Sequence, residues 1–258
     1  MKINNNAIIL EGAISVLSVL DSDSSRILKI IIKQGLDNRS TQKILTAAKA
    51  KKIKIEIFSP DEMQKFIQEY FIGKTHGGII AVTKKREYLS PRELLNAQPK
   101  TIAVIEGIED PYNLGYAARA LYTQGIDALI LPERDFGFSE SIIEKASTGT
   151  FSKMPVAVFN SKSDLINLLK DEKFKIYCID KKIPANSKAK ISNIFDIKFA
   201  DKTVFIIGGE KRGISRDFLN NADEIVSIPY AKKFSHSLAA QTAATIVSYE
   251  IHRQRKNK

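Results

Sequence analysis

The chain has one cysteine, Cys178, no tryptophan and three histidines in 258 residues. A lone thiol cannot close an internal disulfide and leaves no cysteine cluster for zinc, so a reducing, cytoplasmic setting is expected. No histidine and glutamate pair stands at helical spacing, so no catalytic metal is expected. Long apolar runs are missing too: none approaches the roughly 18 residues of a membrane span. The start, Met1 to Asn6, is polar and Glu11 interrupts the first apolar run, which does not read as a signal peptide. With 13 glycines and 8 prolines, collagen-like and low-complexity classes are excluded. The remainder, 43% hydrophobic and 27% charged, is an ordinary globular composition, long enough for two modest domains.

Basic charge is plentiful. Lysine and arginine number 40 against 29 acidic residues, a formal net charge of +11. Such an excess suits a polyanion, because each neutralised phosphate releases condensed counterions. A basic composition with no nucleic-acid role is the alternative. Positions 1–100 hold 17 basic and 10 acidic residues, positions 101–258 hold 23 and 19, so the first part is the more basic. Lys49, Lys51, Lys52 and Lys54, near a helix-to-strand junction, form one candidate RNA-binding patch; Lys84, Lys85 and Arg86 form another.

Hydrophobic patterning gives two α/β parts. In the first, residues 7–20 fit a helix, 27–32 a strand, 40–50 a helix and 53–58 a strand. Asp61 caps a short helix to about Tyr70, and Gly77-Gly78 opens a strand over 79–82. Residues 84–100 are charged, contain Pro91 and Pro99, and read as a connecting segment, giving domains 1–95 and 96–258. Six continuous apolar runs follow, at 102–105, 128–131, 156–159, 176–179, 204–207 and 225–228. Runs without polar alternation suit a parallel sheet covered by helices on both faces, so the second part reads as a doubly wound α/β domain. A last helix over 237–254 carries Ala239, Ala243, Ile246 and Val247 on one face. Its basic end, Arg253, Arg255, Lys256 and Lys258, either complements the helix dipole or meets RNA.

Three segments of the second part join a strand end, turn residues and polar side chains. Glu106 to Gly115 follows the strand 102–105 and leads into a helix carrying Arg119; ligands of open α/β sheets bind at such strand ends. Asp110 and Asn113 also suit a helix cap. Gly208-Gly209-Glu210-Lys211-Arg212-Gly213 follows the strand 204–207 and matches neither a P-loop nor a dinucleotide fingerprint, so a plain turn and a ligand loop are both open. Ile228-Pro229 to Leu238-Ala239 runs into the last helix and contains His236.

In this order and spacing, the three segments resemble the motifs of the SpoU or TrmH family of 2′-O-ribose RNA methyltransferases, of the SPOUT class. Asp110, Pro111, Asn113, Gly115 and Arg119 match the first motif; Gly208, Glu210 and Gly213 the second, with Gly209 and Lys211 as departures; Ile228, Pro229, Ser237 and Leu238 the third. Lys145-Ala146-Ser147-Thr148-Gly149 looks like the family's Ala-Ser-x-Gly stretch, and Thr75-His76-Gly77-Gly78-Ile79-Ile80-Ala81 is similar to the stretch ending its RNA-recruiting domain.

The resemblance implies a small N-terminal α/β RNA-binding domain and a C-terminal parallel-sheet domain tied in a trefoil knot, an exception to the usual rule against threading. It implies S-adenosylmethionine at the knot, contacted by Gly208, Gly209, Gly213, Ile228 and Leu238, in a homodimer. Arg119 would act on the ribose 2′-hydroxyl, Asn113 would orient it and Glu210 would brace the cofactor loop. Ribosomal RNA is the first expected substrate and transfer RNA the second, with no membrane partner. Ala239 stands where the third motif has asparagine, and Ser235, His236 and Gln241 are the nearby polar substitutes. That departure supports an alternative, a knotted RNA-binding protein of ribosome assembly without catalysis.

Overall fold

The computed structural model describes residues 7–73, 76–134, 140–181, 189–209 and 212–256. A short apolar run such as Ala7-Ile8-Ile9-Leu10 cannot be assigned by periodicity, because a buried helix and a strand covered on both faces look alike. Here it is strand β1, Ala7–Glu11, and the helix α1, Gly12–Ser22, begins only after it. The helix expected over 7–20 is corrected accordingly. Ile8 and Leu10 enter one apolar cluster while Ala7 and Ile9 pack on another, which explains the unbroken run.

β2, Ile27–Lys33, α2, Arg39–Ala50, β3, Ile55–Phe58, α3, Pro60–Glu69, and β4, Ile79–Lys84, complete a four-stranded sheet of order β1-β4-β2-β3. β4 pairs antiparallel with β1 and β2, and β2 parallel with β3. One face packs Leu10, Ile30 and Ala81 against Val16 and Val19 of α1 and Ile44 of α2. The other packs Ile31, Ile80 and Val82 against Met63 and Phe66 of α3. Ser59, rather than Asp61, caps α3: its hydroxyl accepts from the Glu62 N–H while Glu62 reaches back to the Ser59 N–H.

The chain separates into two contact units, residues 1–87 with 135–153, and 88–134 with 154–258. The division after residue 87 falls within the segment 84–100 read as a connection, and the segment carrying Lys145 to Gly149 is counted with the first unit. Its two short helices are α6, Glu140–Ala146, and α7, Thr150–Lys153. Buried polar contacts hold them: the Arg26 guanidinium donates to the Glu140 carboxylate, and the Ser18 hydroxyl donates to the Gly149 carbonyl. Such pairing depends on side chains distant in sequence, so no local pattern announces it.

In the second unit, the residues read as a linker are structural. Leu89 bonds both Val156 and Val158, and α4, Pro91–Leu95, buries Leu94 in the core. The strands β5, Thr101–Ile105, β6, Ala128–Pro132, β7, Val156–Phe159, β8, Lys175–Ile179, β9, Lys190–Asn193, β10, Thr203–Ile207, and β11, Glu224–Ser227, form a parallel sheet of order β7-β6-β5-β10-β8-β11-β9. All six expected strands are present; β9, a mostly exposed edge strand, lacks the apolar run that marks the others. α8, Lys162–Asp171, and α9, Arg216–Asn221, cover one face through Leu165, Leu169 and Phe218. α5, Pro111–Thr123, and α10, Ala240–Lys256, pack on each other, and α10 lies against β10. The last helix starts three residues later than expected, at Ala240.

Glu144 on α6 is fully buried, and burial raises its carboxyl above the usual carboxylate range despite a hydrogen bond donated by Ser152. A carboxyl with a raised folded pKa binds more protons in the native state, so its stabilising effect is present at low pH and is lost as pH rises through the folded value. Glu144→Gln is expected to remove that decline. Urea unfolding between about pH 4 and about pH 8 should show the variant gaining on the parent as pH rises.

Candidate active site

Strands of a parallel sheet all end at one edge, and here three neighbours end together. Beyond Ile179 of β8, Ile207 of β10 and Ser227 of β11, the chain lines a cavity of about 670 Å³ with Asp180, Lys181, Gly208, Gly209, Ile228 and Tyr230. The volume is that of a small-molecule site, in the crevice where α/β sheets bind ligands. His236 to Ala239 pass across it, and Ala240 and Ala243 of α10 complete the wall.

Glycine is a geometric requirement at two of these positions. A Cβ at Gly208 would overlap the Gly213 carbonyl carbon and the Ile214 nitrogen, and one at Gly209 would lie 2.5 Å from the Gly107 oxygen. Gly209 and Gly213 exchange hydrogen bonds of 3.2 and 3.0 Å, closing the loop into a tight hairpin. Glu106, at the end of β5, braces it: its carboxylate accepts from the Ser215 N–H at 2.8 Å and pairs with Lys162 at 2.7 Å. Glu210, expected to brace the loop, lies outside the described residues, as do Lys211 and Thr75.

The loop after β11 is held by Lys181. Its ammonium donates to the His236 carbonyl at 2.8 Å and sits 3.7 Å from the Tyr230 ring centroid, a cation–π contact. The Tyr230 hydroxyl accepts from the Leu238 N–H at 2.9 Å, so that amide is already engaged and Leu238 offers its carbonyl and side chain. Asp180, Lys181 and Tyr230 were not singled out from the sequence. A polar pair directly after the apolar run 176–179 was the available signal, since it marks a strand's carboxyl end.

All five expected cofactor contacts, Gly208, Gly209, Gly213, Ile228 and Leu238, line this one cavity. Arg119 does not. Asp110 caps α5, accepting from the Tyr112 N–H at 2.7 Å, and Asn113 on its first turn accepts from Gln241 Nε2 at 3.0 Å. Six residues further on, Arg119 is rotated roughly 120° around the helix from Asn113. It is exposed, and among the described residues its guanidinium has no partner. It shares a face with the exposed Tyr112 and Tyr116. Arg119 is not among the residues that line the cavity of its own chain, and Asn113 is tied to Gln241.

The basic patches divide. Lys49, Lys51 and Lys52 are exposed, while Lys54 pairs with Glu56 at 2.7 Å. Lys84 and Lys85 are exposed, but the Arg86 guanidinium donates to the Phe151 carbonyl and lies 4.7 Å from the Phe151 ring centroid, so it serves the fold of the first unit. At the end of α10, Arg253 pairs with Glu250 at 2.7 Å and Arg255 donates to the Asp201 carbonyl at 3.1 Å. Burial pushes the Cys178 thiol above its usual range and keeps it protonated. Among the described residues no group of three or more metal-ligating side chains is found, and no helix is long and apolar enough to cross a membrane.

Comparison with known proteins places this geometry. Residues 100–249 match the SpoU rRNA methylase family, and residues 9–89 match the substrate-binding domain of RNA 2′-O-ribose methyltransferases. A Staphylococcus epidermidis protein assigned to the TrmH family of tRNA/rRNA methyltransferases is 30% identical over 233 residues, 88% of each chain. The Yersinia pestis 23S rRNA (guanosine-2′-O-)-methyltransferase RlmB is 25% identical over 251 residues, 96% of this chain and 97% of that one. The fold is similar to that of the SpoU methyltransferase AviRb from Streptomyces viridochromogenes, solved with AdoMet, at a TM-score of 0.77 and 19% identity over 98% of this chain and 92% of that chain. An AdoMet-bound rRNA methyltransferase from Sinorhizobium meliloti gives 0.76 at 19% identity, over 96% and 87%. With an RNA-binding domain ahead of a parallel-sheet domain whose glycine hairpin walls a ligand cavity, the chain belongs to the SpoU rRNA methylase family.

Proposed function

We propose that the protein is an S-adenosylmethionine-dependent RNA 2′-O-ribose methyltransferase acting on ribosomal RNA in the cytoplasm. The observation that carries the reading is the convergence of Gly208, Gly209, Gly213, Ile228 and Leu238 on one cavity at the carboxyl edge of the sheet. The residues fit the cofactor: a glycine hairpin exposes backbone to a flat adenosine, and the acidic Asp180 faces the same space as the ligand's cationic end. When bound, S-adenosylmethionine supplies an electrophilic methyl group on a sulfonium. Similarity to RlmB over nearly the full chain favours ribosomal RNA; the TrmH relative keeps transfer RNA as the second substrate.

A ribose 2′-hydroxyl is a poor nucleophile near neutral pH, so the site must stabilise charge on its oxygen while the proton leaves. An arginine stays protonated and acts electrostatically on the developing alkoxide. Arg119 takes that role at the cavity of a second copy, a reading supported by its exposure on α5 beside Tyr112 and Tyr116. Exposed tyrosines on α5, together with Tyr249 on α10, support a homodimer joined through these two helices. The trefoil knot expected of the class belongs to this proposal, with β10 lying between β5 and β8. Ala239 on the cavity wall, where the family motif has asparagine, supports the second reading, an RNA-binding assembly protein without catalysis.

Arg119→Ala is expected to keep its melting temperature and its affinity for S-adenosylmethionine within about threefold and to lose about a hundredfold in methyl transfer, read as tritium incorporation into RNA. Gly208→Ala forces the hairpin apart and should weaken cofactor binding by about tenfold or more in calorimetry. Mixing the two variants at a cofactor concentration too low to load Gly208→Ala should restore activity to about a quarter of the parent's, because half the dimers then carry one intact composite site. No recovery on mixing would place Arg119 and the cavity on the same chain or remove Arg119 from the reaction. Cofactor binding without any methylation of ribosomal RNA would favour the second reading.

A further inference from the structure

The loop between β11 and α10 carries more than the proposed cofactor contacts use. Its stretch Tyr230-Ala231-Lys232-Lys233-Phe234-Ser235-His236 sets two lysines and a phenylalanine between Tyr230 and His236, both of which line the cofactor cavity. Phe234 is 59% exposed, although phenylalanine is among the residues most often buried. Lys232 and Lys233 are exposed as well, and among the described residues neither has a hydrogen bond or an ion pair. Core packing asks for none of these three side chains.

The phenyl ring is nonetheless held in place. Its centroid lies 6.2 Å from that of the Tyr230 ring and 5.4 Å from that of the His236 ring, separations at which aromatic rings attract. Both neighbours are anchored in turn. Lys181 sits 3.7 Å from the Tyr230 centroid and donates to the His236 carbonyl, the Tyr230 hydroxyl accepts from the Leu238 N–H, and the Ser235 hydroxyl is 3.1 Å from His236 Nδ1. An aromatic surface already fixed by its neighbours loses little freedom when a flat ligand stacks on it. Phe234 therefore stands as a lip beside the cavity rather than as part of its lining.

What reaches that lip follows from the proposed reaction. A ribose presents its 2′-hydroxyl to a methyl donor in the cavity only if its strand passes over the rim, which brings bases and flanking phosphates with it. Exposed aromatics take the faces of unstacked bases, and lysines beside them neutralise the phosphates. The two unpaired cations match an anionic strand and not an apolar protein surface.

We propose that Phe234 is a stacking platform for an unpaired base of the RNA beside the methylated ribose, with Lys232 and Lys233 on the flanking phosphates. The inference rests on the reading of the protein as an RNA methyltransferase, and it narrows the substrate to a nucleotide in a single-stranded segment.

The test uses the full chain and a single-stranded oligouridine carrying one central 2-aminopurine, which stacks more strongly than uracil and so takes the platform; its duplex with oligoadenosine is the control. Binding of the single strand to the parent should quench the 2-aminopurine. Phe234→Ala should bind the single strand about tenfold more weakly and without the quench, while its duplex affinity changes little. Its melting temperature, its mass in sedimentation and its affinity for S-adenosylmethionine should equal the parent's, because the ring is exposed and outside the cavity. Phe234→Tyr should retain affinity and quench. Replacing Lys232 and Lys233 together by alanine should lower the slope of log K against log salt by about 1.4, two phosphate contacts on a single strand, whereas Phe234→Ala leaves the slope unchanged. Single-strand affinity within twofold of the parent in Phe234→Ala, equal weakening for single strand and duplex, or a fall in its sedimenting mass would overturn the platform; the last would make Phe234 a contact between copies. Calorimetry with S-adenosylmethionine runs alongside: a parent that binds no cofactor would overturn the proposed enzyme while the RNA titrations still decide the platform.

Discussion

The second unit depends on backbone approaching backbone at the end of β10. The Gly208 to Gly213 hairpin folds back with no room for a Cβ at Gly208, and Gly209 lies against Gly107 beyond β5. Parallel pairing of β5, β10 and β8 brings those strand ends level, and the hairpin then exposes peptide groups to the cavity. Side chains at these positions would fill the space a ligand needs. The cavity is thus built from main chain, with Asp180, Lys181 and Tyr230 as its polar periphery.

Two ways of fixing loops follow from that constraint. Glu106, carrying Lys162 and the Ser215 N–H, makes the hairpin rigid from the β5 side. Lys181 steadies the loop after β11 through the His236 carbonyl and the Tyr230 ring, and the Tyr230 hydroxyl occupies the Leu238 amide. The Glu106 contacts are half-buried and charge-assisted, stronger than exposed ion pairs because less water screens them, whereas the Lys181 contact lies at the surface. A preorganised crevice suits a reaction whose barrier is lowered by holding two reactants in line.

The first unit is assembled from discontinuous chain. Arg26 reaches Glu140, Ser18 reaches Gly149 and Arg86 lies over Phe151, so residues 140–153 complete the sheet domain formed by the first strands and helices. Removing one partner of a buried pair such as Arg26 and Glu140 leaves an uncompensated charge, which makes these contacts demanding as well as specific. The stretch Lys145 to Gly149 therefore has a structural task in the RNA-binding unit.

Much of this was legible in sequence where local physics decides. The six buried strands announced themselves as unbroken apolar runs, and the turn glycines and polar residues after 204–207 and 225–228 marked the ligand edge, because both faces of a parallel sheet must be apolar and its carboxyl ends must be polar. The identity of Ala7–Glu11 was not legible, since a strand covered by two apolar clusters has no periodicity to separate it from a helix. Nor was β9, an edge strand half open to water. The sequence by itself determined the two α/β parts, the family motifs and the residues that gather at the cavity. Only the tertiary structure decided that residues 140–153 join the first unit and that the Arg86 guanidinium goes to the Phe151 carbonyl, because pairing between residues distant in sequence is set by the packed whole.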